Sequence, residues 1–188
     1  MKRTILAMML LGLGATLLSA ATNQEIMLEG KAAIMTMGKT LKSHMKQNMK
    51  AGGPVQAAQF CSQKAVKIEK DVNKTYKTGL HVKRISLKYR NPDNKPTADE
   101  AKVLEWIQKE YKAGKKIPPM IVKQVSKNEY KVYKPIFIDK NVCLTCHGDI
   151  QTRSKPAYKI IKEKYPNDKA VDYKKGDFRG AFVAEIIK

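Results

Sequence analysis

The chain has 188 residues, with 37 Lys and Arg against 17 Asp and Glu, for a formal net charge of +20. That length holds one ordinary domain and little more. No nucleic-acid-binding motif accompanies the charge, so it argues for acidic proteins or anionic lipid as partners, or for a simply solvated lysine-rich surface, rather than for DNA or RNA.

The first residues read MKRTILAMMLLGLGATLLSAATNQ. Lys2 and Arg3 open the chain, an uncharged apolar run follows from Ile5, and small residues close it at Ser19-Ala20-Ala21. This is the three-part pattern of a secretory signal peptide. Cleavage is placed after Ala21, with Ala20 the alternative. The competing reading is an uncleaved anchor, but the run is short of the roughly 20 residues a bilayer core needs and contains Gly12 and Gly14. No later stretch is apolar enough to span a membrane. Residues 22–188 are therefore expected to form one soluble domain outside the cytoplasm, in the periplasm.

Residues 24–50 predict a helix, with Ala33, Met37, Leu41, Met45 and Met49 recurring every four positions. AGGP at 51–54 ends it. A second helix over 55–73 carries Ala58, Cys61, Ala65, Ile68 and Val72 on one face, which places Cys61 on the buried side. LHVKRISLKYR (80–90) alternates as a strand, and RNPDNKP (90–96) reads as a turn. Thr97 or Asp99 can cap a helix over 98–113 that carries Val103, Leu104, Trp106, Ile107 and Tyr111. Residues 118–138 read as two strands joined near 126–129, 155–164 as a short helix, and 178–187 as a last strand. Two leading helices followed by strands and scattered helices define an α+β domain around an antiparallel sheet.

The most specific signal is NVCLTCHGDI at 141–150. Only three cysteines occur, Cys61, Cys143 and Cys146, an odd number in a compartment where disulfides form. Two cysteines three apart with a histidine directly after are the signature of c-type haem attachment. Cys143 and Cys146 would form thioethers to the vinyl groups of one porphyrin edge, and His147 would bind the iron. Three other readings compete. A zinc site usually pairs such a motif with a second one, and a redox dithiol more often opens a helix within a βαβ pattern. A plain disulfide is the third. Four-helix c-type cytochromes also carry the motif near the C-terminus, and form the alternative architecture.

Cys61, RISLKYRNPDNKP, the helix with Glu100, YKPIF, CLTCHG and YPNDKAVDYKKGDFRGAF (165–182) follow one another in an order that resembles one family. This is the PAS-like c-type haem domain, formerly a domain of unknown function. It occurs as small secreted cytochromes and as the extracytoplasmic sensor of bacterial membrane histidine kinases. The resemblance covers most of residues 22–188 and implies a PAS-like antiparallel sheet with flanking helices. Unlike the kinase members, this sequence carries no kinase segment.

The sixth iron position has several candidates. His44 lies beside Ser43 on the polar side of the first helix, and His81 opens a strand, so both read as solvated. Met37, Met45 and Met49 form a stripe of the kind that packs a core. A lone cysteine on an apolar helix face is by itself usually a packed thiol. The resemblance implies instead that Cys61 ligates the iron opposite His147. Such thiolate ligation would favour ferric iron and a low potential, whereas a thioether would raise it. Arg84, Arg90 and Lys88 are candidates for the haem propionates, Arg84 and Lys88 sharing one side of the 80–90 strand. Asp177 and Arg179 are read as holding a turn.

The expected function is that of a mono-haem carrier in low-potential electron transfer, with an acidic redox protein as partner. The alternative is a redox or diatomic-gas sensor working by exchange of Cys61. An enzyme is disfavoured, since no hydrolytic triad or carboxylate pair appears and two axial ligands leave no open position.

Overall fold

The structure is a computed structural model that describes residues 6–188, with side chains from Asn23 onward; the leader expected at 1–21, with its cleavage after Ala21, lies outside the residues whose side chains are described. The first element, α1 (Leu6–Asn73), is two helical segments broken where the sequence predicts. Gly52 takes φ −158°, ψ 25°, Gly53 takes φ 67°, ψ −156°, and Pro54 follows. The positive φ of Gly53 suits glycine because a Cβ would crowd the following carbonyl. The second segment then runs back along the first. Gln56 donates to Asn48 at 3.2 Å, His44 stacks on Phe60 at 5.4 Å, and the Tyr76 hydroxyl donates to the Ala33 carbonyl at 2.8 Å.

Four strands follow: β1 (Leu80–Ile85), β2 (Ile121–Gln124), β3 (Glu129–Phe137) and β4 (Phe178–Ile187). They form one antiparallel sheet in the order β1-β4-β3-β2. Both of its faces are covered. Val82, Val132, Ala184 and Ile186 pack beneath Ile26, Ala33, Ile34 and Met37 of α1. On the opposite face Ile85, Tyr133, Ala181 and Val183 pack with Leu104 of α2 (Ala98–Lys112). Double coverage explains why β4 reads as a nearly unbroken apolar run. The helices and antiparallel sheet make an α+β domain consistent with a PAS-like fold, and the sheet rules out the four-helix alternative.

Thr97 caps α2 as predicted. Its side chain accepts from the Glu100 N–H, and the Glu100 carboxylate accepts from the Thr97 N–H at 3.0 Å. Glu100 is fully buried and also takes Lys131 at 2.7 Å and Lys83 at 2.9 Å. Two further helices, α3 (Asn141–His147) and α4 (Lys155–Lys164), pack together against Ala58 in the second segment of α1.

Two expectations are corrected. The strand expected over 80–90 stops at Ile85, because the Ser86 N–H bonds the Asn94 carbonyl of the following turn at 3.1 Å instead of a sheet partner. Arg84 and Lys88 therefore do not share a strand face. His44 is half-buried against Phe60 rather than solvated. His81 is exposed, as expected.

Candidate cofactor site

The motif is itself helical, which periodicity did not announce: α3 is a seven-residue helix, NVCLTCH. On a helix, positions three apart share a face, so Cys143 and Cys146 are neighbours one turn apart with His147 beside the second. Cys146 packs with Ala58 of α1 and with Ala157 and Ile161 of α4. Cys143 and Leu144 pack with Ile138, Ala170 and Tyr173. Gly148 ends the helix. A Cβ there would meet the Leu144 carbonyl at 2.7 Å and the Thr152 side chain, so the chain can turn this tightly only without one.

The imidazole of His147 is fixed by a single bond. Its Nδ1 lies 2.8 Å from the Ala170 carbonyl oxygen. A carbonyl only accepts, so Nδ1 carries the proton and Nε2 keeps a free lone pair. Burial pushes the ring well below the ordinary histidine range, Arg179 and Arg90 push it further, and the Ala170 bond only partly opposes them. The ring is thus neutral at physiological pH and able to donate to a metal. Tyr173 meets it edge-on at 6.1 Å, and the Tyr173 N–H donates to the His147 carbonyl at 3.0 Å.

Ala170 is held in turn by Arg90 and Asp168. Arg90 Nε donates to the buried Asp168 carboxylate at 3.0 Å, and one terminal nitrogen donates to the Cys146 carbonyl at 2.8 Å and that of Ala170 at 3.3 Å. The other oxygen of Asp168 accepts from the Ala170 N–H at 2.8 Å. Arg90 thus ties the motif helix to the loop that orients His147. Arg84 pairs with Glu69 of α1, and its Nε is buried without a partner. Arg179 Nη1 donates to Ser86 Oγ at 2.6 Å and to the Lys88 carbonyl at 3.1 Å, with no carboxylate partner among the described residues. Burial, with Arg90 and Arg84 nearby, lowers its pKa. Lys88 reaches the Val171 carbonyl and lies over the Tyr173 ring at 4.5 Å.

Cys61 is half-buried, one turn beyond Ala58. It is close enough to Cys146 that a charge on it would raise the Cys146 pKa. Burial pushes both thiols up, while Arg90 draws both down and Arg84 draws Cys61 down. All three cysteines are free. Among the described residues no three His, Cys, Asp or Glu side chains converge on one point, so a four-ligand zinc site is not assembled. Met37 is fully buried against the sheet, as its stripe predicts. Asp177 does hold a turn, accepting from the Lys174 N–H at 2.7 Å, whereas Arg179, read with it, lies in β4 and bonds Ser86 and the Lys88 carbonyl instead. Sequence reasoning missed the roles of Asp168, Ala170, Tyr173 and Arg179, whose run (165–182) contributed to the resemblance without giving them partners.

Fold and site define an α+β domain with a PAS-like sheet, a Cys-x-x-Cys-His helix and a broken N-terminal helix that brings in a third cysteine. A family model described as Tll0287-like matches residues 20–186, and the chain belongs to that family. It is similar to the solved structure of the cyanobacterial heme-protein Tll0287, with 25% identity and a TM-score of 0.59, over 82% of this chain and 92% of that one. Among curated proteins none matches.

Proposed function

We propose that residues 22–188 are an exported, periplasmic c-type haem domain. One haem c would be joined to Cys143 and Cys146, with His147 and Cys61 as axial ligands, and its work would be low-potential electron transfer or redox response. One observation carries this reading: the Ala170 carbonyl fixes the proton of His147 on Nδ1 and leaves Nε2 free to bind iron. The likeness to a heme-protein supports it. Among the described residues no helix is long and apolar enough to cross a membrane.

The other residues fit the group. Cys143 and Cys146 are unpaired thiols on one helical face. Arg84 offers a buried, unpartnered Nε to a propionate. Arg90 offers Nη1, for which no protein acceptor is present among the described residues.

Bound haem supplies a one-electron couple. Hydrogen bonding to Ala170 makes the His147 imidazole a better donor and sets its orientation. Cys61, as a thiolate, would favour the oxidised state and lower the potential. Burial raises its pKa, so a nearby metal cation must keep it deprotonated. The same fact favours a second reading, a redox or diatomic-gas sensor. Cys61 rests as a neutral thiol whenever no cation holds it, and it lies on the helical segment beyond the Gly52–Pro54 break.

A potentiometric titration followed by absorbance and electron paramagnetic resonance, on the wild type and Cys61→Ala, tests the assignment. A carrier keeps one ligand set in both oxidation states; a sensor binds carbon monoxide once reduced. Identical ferric spectra and midpoint potentials in the two proteins would remove Cys61 from the iron.

A further inference from the structure

A cavity of about 330 Å³ is lined by Tyr173, whose ring also meets His147 edge-on. It is walled by the segment after β1, the C-terminal turn of α2 and the segment leading into β4. None of Cys61, Cys143, Cys146 and His147 lines it. Its volume is at the small end of the range for small-molecule sites, about 300–1,000 Å³.

Its chemistry is polarised. Lys88, Lys112 and Arg179 all face it. Asp172 and Asp177 also line it; Asp177 accepts from the Lys174 N–H through one oxygen, and Asp172 is a largely exposed side chain 3.6 Å from Arg153, so three cations face two carboxylates. Arg179 has only Nη1 committed, to Ser86 and the Lys88 carbonyl, and its guanidinium stands 5.5 Å from the Tyr173 ring. An arginine with a free edge and no carboxylate partner is preorganised for a planar anion, which it can grip with two parallel bonds. The remaining wall is aromatic. Tyr111 and Phe178 line the cavity and both pack on Phe137, at 4.6 and 5.7 Å.

The geometry points to a binding site for a small organic carboxylate with a flat apolar body, its acid group on Arg179 and its body against Tyr111, Tyr173 and Phe178. Lys88 and Lys112 supply the surrounding positive field. The cavity shares Tyr173 with the surroundings of His147.

Benzoate is a suitable probe and benzyl alcohol its uncharged counterpart, titrated calorimetrically into the protein as purified after export. Benzoate is expected to bind one to one and at least about tenfold more tightly than benzyl alcohol, a difference of about 1.4 kcal/mol. Arg179→Gln should abolish that preference. Because Arg179 also holds Ser86, Lys112→Gln at the exposed end of α2 serves as a second variant, and should weaken benzoate several-fold with unchanged circular dichroism. Equal binding of the two probes would overturn the proposal, as would wild-type affinity in both variants. It would also be overturned if benzoate bound the Cys143→Ser/Cys146→Ser protein but not the wild type, because the cavity would then belong to the porphyrin.

Discussion

Replacing Arg90 with leucine tests how the site is held together. The substitution removes three hydrogen bonds, to Asp168, Cys146 and Ala170, and leaves the Asp168 carboxylate, whose side chain is 0% exposed, without its counter-charge. Removing one partner of a buried ion pair costs about 3–5 kcal/mol, most of it from the stranded charge. Arg90→Leu should therefore lose about that much in urea unfolding followed by circular dichroism. The double variant Arg90→Leu/Asp168→Leu should recover part of the loss, because neither charge is then left alone. The site should also loosen, since Ala170 loses one of the two groups that hold it. His147 ligation should become heterogeneous by electron paramagnetic resonance, while Arg90→Lys falls between. A loss under about 1 kcal/mol in Arg90→Leu, with no recovery in the double variant, would refute the pairing.

Other outcomes follow from neighbouring geometry. Burial pushes the Glu100 carboxyl up, but hydrogen bonds from Lys131, Lys83 and the Thr97 N–H outweigh it and bring it down to about 2, from an ordinary 4.5. A depressed carboxyl stabilises the fold above the unfolded pKa and loses that contribution as pH falls through the folded one. Stability should thus drop by about 3 kcal/mol between pH 4.5 and 2 in denaturant titrations, and Glu100→Gln should flatten the slope there. Gly148→Ala should cost about 1–3 kcal/mol by thermal melting, and adding Thr152→Ala should not restore it, because the Leu144 carbonyl at 2.7 Å belongs to the backbone. Cys61→Ala should raise the midpoint potential and change the ferric absorbance, whereas Met37→Leu, deep beneath the sheet, should change neither.

What could be read from the chain was local. Gly52-Gly53-Pro54 announced the break in α1, Thr97 announced a capped helix, and the two strands of 118–138 joined near 126–129 announced a hairpin. Each depends on residues within a turn or two of one another. CLTCH marked the site, yet its helical form escaped notice, because seven residues are too few for a periodic stripe. The early end of β1 was equally hidden, because the competing partner, the Asn94 carbonyl, lies in a turn that sequence treats as separate. The support of His147 was the least legible part. Arg90 and Asp168 are 78 residues apart, and Ser86 and Arg179 are 93 apart. Loop residues carry no periodicity that would pair them, so only the fold brings Ala170 beneath Nδ1.

The most direct measurement is made on the unfolded chain. Protein purified after export is denatured and extracted with acidified organic solvent, then compared with Cys143→Ser/Cys146→Ser treated alike. Thioether attachment at the motif predicts that the haem colour stays with the wild-type polypeptide and is missing from the double variant or extracted from it. Colour that passes into the solvent from the wild type would contradict the account.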